Sequence, residues 1–68
     1  MKVKVIYWLG PTMHEEFVQS YIDAMNVASR NQNAFSPTFW DEQGNQLLDD
    51  GHGLAYVEEV EGRRIYAL

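Results

Sequence analysis

The chain has no cysteine, which removes a disulfide framework, a thiolate nucleophile and any cysteine-ligated zinc site together. Basic residues are also few: five Lys and Arg stand against ten Asp and Glu, for a net charge of −5. Neutralised phosphates supply most of the affinity for duplex nucleic acid, so this balance argues against a duplex target and suits a protein partner with basic surface. Long apolar runs are missing too. The opening stretch is broken by Lys2 and Lys4 and ends at Gly10-Pro11, which fits neither a membrane span nor a signal-peptide core, and the expectation is a soluble cytoplasmic protein. There is no glycine-rich phosphate loop and no nucleophile beside a matched base, so neither catalytic, cofactor-binding nor metal-binding residues are expected.

What is present is apolar and aromatic. Hydrophobic residues make up 46% of the 68, with two Trp, four Tyr and three Phe, which places the chain among globular rather than disordered sequences. The length allows one domain, residues 1–68. A core of that size seldom contributes more than ~3–5 kcal/mol, so burial against a partner would add materially to stability.

The spacing predicts a single helix over Thr12 to Arg30. Met13, Phe17, Tyr21, Ala24, Met25 and Ala28 recur at helical intervals, widened by Val18 and Ile22, and Thr12-Met13-His14-Glu15 fits a capping box after Gly10-Pro11. Asn31-Gln32-Asn33 then marks its end. Before it, Lys2 to Leu9 alternates as a strand with Val3, Val5, Tyr7 and Leu9 on one side. After it, Ala34 to Asp41 reads as a strand held to a sheet edge by Pro37, which has no amide to give a ladder. Asp41-Glu42-Gln43-Gly44-Asn45 is a hairpin loop, Gln46 to Leu48 a short returning strand, and Asp49-Asp50-Gly51-His52-Gly53 a flexible loop. Leu54 to Glu59 and Arg63 to Leu68 close the chain as a hairpin through Val60-Glu61-Gly62. The expected fold is α+β: one amphipathic helix on a mostly antiparallel sheet of three or four strands, with a right-handed crossover setting the strands before and after the helix parallel.

If the helix covers Val3, Val5, Tyr7, Leu9, Phe35, Phe39, Ala55, Val57, Ile65 and Ala67, the period of two sends Ile6, Trp8, Trp40, Tyr56, Tyr66 and Leu68 to the other face, with Lys2, Lys4, Glu58 and Arg64 around them. Such a face is too apolar for water alone, and Trp and Tyr are the residues most enriched at binding hot spots. The candidate partner-binding residues are therefore Ile6, Trp8, Trp40, Tyr56, Tyr66 and Glu58, joined by Asp49 and Asp50 from the acidic loop. The acidic edges have a use of their own in this reading, as a nucleic-acid-like charge array presented to a DNA-binding partner. The simplest use of the aromatic face is a homodimer. Stacking of single-stranded nucleic acid on the aromatics beside Lys2, Lys4, Arg63 and Arg64 is a weaker reading, because the net charge opposes it. His52 beside Asp49 and Asp50 is the one place for a general base or metal, but its spacing follows no established calcium or zinc pattern, and a solvated turn explains it. His14 reads as a packed or solvated histidine.

The closing stretch, Gly53-Leu54-Ala55-Tyr56 through Glu61-Gly62-Arg63-Arg64, resembles the terminal hairpin of small phage-encoded anti-CRISPR proteins of the type I systems, as do the length, the order of elements and the absence of cysteine. The resemblance covers about a quarter of the chain. It implies a non-enzymatic inhibitor in the host cytoplasm that binds a nucleic-acid-binding surveillance complex and blocks DNA access or a conformational step. No functional residue carries over from it.

Overall fold

The computed structural model describes residues 2–31 and 35–67. The chain runs β1 (Val3–Leu9), β2 (Thr12–Val18), α1 (Tyr21–Arg30), β3 (Phe35–Trp40), β4 (Gln46–Asp49), β5 (Ala55–Val60) and β6 (Arg63–Tyr66). All strands join one antiparallel sheet in the order β2-β1-β3-β4-β5-β6. The α+β class, with a helix on one face of an open antiparallel sheet, is as expected, but the sheet has six strands rather than three or four.

The largest correction concerns Thr12 to Val18, which is a strand and not the first half of a helix. Gly10 sits at φ 61, the geometry of a type II′ hairpin turn with glycine first, and Pro11 has its fixed negative φ in second place. Gly10-Pro11 therefore reverses the chain, and β2 pairs with β1 along all of its length, from Leu9 opposite Thr12 to Val3 opposite Val18. Thr12 caps nothing. The helix starts a full eight residues later, where the Ser20 hydroxyl accepts from the Asp23 amide at 3.2 Å. At the other end Asn31 is the C-cap, and its side-chain amide donates to the Val27 carbonyl at 2.8 Å. Gln32, Asn33, Ala34, Leu68 and the Phe35 side chain, to which roles were assigned above, lie outside what is described.

Two further expectations change with the insertion of β2. The first strand and the strand after the helix, β1 and β3, are antiparallel neighbours, because β2 and not β1 leads into the helix; β2 and β3 flank β1 and run parallel to each other. β3 is also internal. Its register with β1 shifts between Ile6 opposite Thr38 and Trp8 opposite Phe35, which leaves one extra residue on β3, and its ladder with β4 holds only Phe39 and Trp40. Pro37 thus lies within a bulge and beyond the reach of β4, where no ladder amide is required.

The core forms between the sheet and one face of α1. Val3, Val5, Tyr7, Tyr21, Ala24, Val27, Leu47 and Ala55 are buried, with Leu9, Val18, Met25, Phe39, Val57 and Ala67 packed at their margin. Tyr21 meets Phe39 edge-on at 5.2 Å between ring centres. The helix lies over β1, β2 and β3. Ten residues rise only ~15 Å, so α1 leaves the β6 end uncovered and Ile65, expected beneath it, is 52% exposed. Met13, Phe17 and Ile22, expected on the buried helix arc, are exposed as well.

The Asp41 loop holds the buried polar side chain among the described residues. Its carboxylate accepts from the amides of Gln43 and Asn45 at 2.9 and 2.8 Å and from the Asn45 side chain at 3.2 Å, so Asp41 belongs to the turn and not to an acidic surface. The last hairpin turns through Glu61 and Gly62, both at positive φ (55 and 77), as a two-residue type I′ turn requires.

Candidate functional site

The register fixes which side chains share the face away from the helix. Ile6 lies opposite Thr38, Trp40 opposite Gln46, Leu48 opposite Tyr56 and Tyr56 opposite Tyr66. Alternation within each strand then puts Ile6, Trp8, Thr38, Trp40, Gln46, Leu48, Tyr56 and Tyr66 on one continuous surface. The aromatic residues singled out in the sequence are brought together. β2 adds two more apolar side chains, since Met13 pairs with Trp8 and Phe17 with Lys4. Helical spacing had hidden these two inside the core; alternation from Thr12 to Val18 was the signal that could have placed them.

No second layer covers this face among the described residues. Trp8, Met13, Tyr66 and Phe17 are 43, 48, 47 and 70% exposed, whereas Ile6, Trp40 and Tyr56 are half-buried by their neighbours. At ~4.8 Å between strands, six strands make a surface about 24 Å across. Several of its side chains are fixed in place. The Trp40 indole donates to the Thr38 hydroxyl at 2.9 Å, which itself reaches the Ile6 carbonyl at 3.5 Å. Tyr56 and Tyr66 meet edge-on at 6.0 Å, and the Arg64 guanidinium lies 4.8 Å from the centre of the Tyr56 ring.

Charge on the face is mixed. Lys4 on β1 and Arg64 on β6 are separated by β3, β4 and β5, and Arg64 is engaged by Glu59 at 3.2 Å, so no basic track runs beside the aromatic rings. Glu58 follows Tyr56 at the start of a bulge in β5 and is exposed.

Asp49 is not brought to this face, and Asp50 lies beyond the end of β4 with its carboxylate turned to its own loop. Asp49 pairs with Ala55 on the helix side, and burial followed by the negative charge of Asp49 pushes the Tyr21 phenol above its ordinary pKa. Both carboxylates serve their own loop: Asp49 accepts from the Gly51 amide at 2.7 Å, and Asp50 from those of His52 and Leu54 at 2.7 and 3.2 Å. The His52 amide is the main reason that the Asp50 carboxyl is held below the usual range. Among the described residues no three His, Asp or Glu side chains are grouped as metal ligands.

No family model, curated protein or solved structure matches the chain. No helix among the described residues is long and apolar enough to cross a membrane.

His14 is placed by β2 rather than by a helix. It stacks on Tyr7 with ring centres 5.4 Å apart, and the Tyr7 hydroxyl donates to Glu16 Oε2 at 2.9 Å. That bond, then burial, raises the Tyr7 pKa.

Proposed function

We propose that this chain is a small non-enzymatic protein-binding module that acts by covering a partner's surface with its open sheet face. One observation carries the reading: a six-stranded sheet has a helix on one side and, on the other, Trp8, Trp40, Tyr56 and Tyr66 with Met13 and Phe17, with no second layer over them among the described residues and with Trp40, Tyr56 and Tyr66 held by neighbouring side chains. Rigid aromatic side chains bind at low entropic cost, because little freedom is left for them to lose. The mixed charge of the face favours a protein over single-stranded nucleic acid, which needs a continuous basic groove. The resemblance of the closing hairpin to anti-CRISPR proteins names the class of partner to try first, a type I surveillance complex.

The test is target-DNA binding by such a complex in the presence of the protein. Stoichiometric loss of DNA binding, absent with Trp8→Ala plus Trp40→Ala and retained with Asp49→Ala plus Asp50→Ala, supports occlusion by the sheet face. Inhibition that survives the tryptophan changes sinks it.

A second reading is a homodimeric accessory domain, favoured by the small core: among the described residues the largest side chains buried completely are Val3, Val5 and Val27, and a second copy would be present from synthesis onwards. Light scattering over a dilution series separates the two. A dimer that becomes a monomer in the double tryptophan variant means that the face is spent on self-association; a monomer in both leaves it free.

A further inference from the structure

The two edges of the sheet differ in a way that bears on partners. β6 is a short edge of four residues, carries Arg63 and Arg64, and faces a bulge in β5, the devices by which edges are kept from pairing. β2 is neither short nor opposed by a bulge, and its charged side chains are Glu15 and Glu16 rather than basic ones. It is seven residues long, its pairing with β1 shows no register shift, and it contains neither proline nor lysine.

The hairpin geometry says which groups are free on it. In a two-residue hairpin the pair next to the turn, Leu9 with Thr12, exchanges the hydrogen bonds, and alternation directs the amides and carbonyls of Met13, Glu15 and Phe17 outwards. The same three residues project their side chains on the open face. Met13 and Phe17 are among the most exposed apolar side chains in the molecule, and Glu15 lies between them. Glu16, on the other side of the strand, is engaged by the Tyr7 hydroxyl. The ion pair among the described residues is Arg64 with Glu59, so Glu15 has no counter-ion there.

We propose that β2 is a strand-addition site, taking an extended segment of a partner protein that bears lysine or arginine opposite Glu15 and apolar side chains opposite Met13 and Phe17. Main-chain bonds supply the pairing and the alternate side chains supply the selection. A second copy fits less well. Two β2 strands overlapped along their full length by a two-fold axis set Glu15 against its own copy, and like charges directly opposite destabilise a strand pair; the net charge of −5 adds to the repulsion. The proposal goes beyond the open-face reading, since its bonds are made by the backbone of one edge.

The test uses the whole chain, labelled with nitrogen-15, and a blocked peptide Thr-Val-Thr-Lys-Thr-Val-Thr, with a glutamate-centred peptide of the same pattern as control. Saturable shifts and slowed amide exchange are expected at Met13, Glu15 and Phe17, with about tenfold weaker binding of the control. Glu15→Lys should reverse the preference. Glu15→Pro removes an outward amide and should abolish binding, and if that variant does not fold, Glu15→Lys still decides. Absence of saturable binding, shifts at β6, or equal affinity for both peptides overturns the proposal; protection of β2 that grows with protein concentration alone assigns the edge to a second copy and overturns it too. Trp40→Ala with Tyr56→Ala, on strands that do not adjoin β2, should leave peptide binding intact, so that failure of the open-face reading and failure of this one give different results.

Discussion

At the scale of single residues, side chains that look interchangeable in composition have separate duties. Of the acidic residues, Asp41 is buried in its turn, Asp49 and Asp50 bond the amides of the next loop, Glu16 takes the Tyr7 hydroxyl and Glu59 holds Arg64. The Tyr7 bond has a pH consequence. Its phenol is raised above 10.0 in the folded chain, first by Glu16 and then by burial, so the folded state retains a proton that the unfolded chain releases near pH ~10. Stability from this group is complete below that pH and is lost as pH rises through the folded value. In a spectrophotometric titration, Glu16→Gln should move one tyrosine back towards the ordinary range. If the titration curve is unchanged, the Tyr7–Glu16 bond is not the cause.

At the scale of elements, the competition was over Thr12 to Val18. Its residues satisfy a helical stripe at Met13, Phe17 and Tyr21, and they also alternate, with Met13, Glu15 and Phe17 on one side and His14, Glu16 and Val18 on the other. The turn decides between these. Once Gly10-Pro11 reverses the chain, pairing with β1 satisfies backbone groups along seven residues, and a helix there would leave that edge of β1 bare. Ser20 then has the capping role. Ser20→Ala should lower stability by about 1 kcal/mol, whereas Thr12→Ala, at the position that the helical spacing nominated as cap, should change it by less than about 0.5 kcal/mol. Urea denaturation of both variants checks this, and the reverse order would restore the longer helix.

For the whole molecule, a two-layer slab of 37 × 19 × 19 Å buries one face of its sheet and leaves the other open. Stability and recognition should therefore be separable. Val5→Ala, in the core, is expected to cost about 2 kcal/mol through lost burial and a residual cavity. Trp8→Thr, on the open face, is expected to cost the free monomer no more than about 0.5 kcal/mol. Thermal or urea unfolding at several protein concentrations measures both. A large, concentration-dependent loss for Trp8→Thr would mean that the face is already covered in solution by another copy.

The alternation of Val3, Val5 and Tyr7, the turn at Gly44, the hairpin through Gly62 and the one-sidedness of Trp8, Trp40, Tyr56 and Tyr66 were all legible in the sequence. Each depends on a period or a turn residue a few positions away, and the register bears out the shared face. What the tertiary structure decided was everything that needs a distant partner. Thr12–Val18 is a strand because β1 offers it a ladder; Pro37 is tolerated inside the sheet because a bulge removes the demand on its nitrogen; Ile65 is exposed because α1 is too short to reach β6. Asp49 stands apart from the aromatic face because the register of β4 against β5 turns it to the helix side. Local propensity cannot set these outcomes, since each depends on which backbone groups remain unpaired once the rest of the chain is in place.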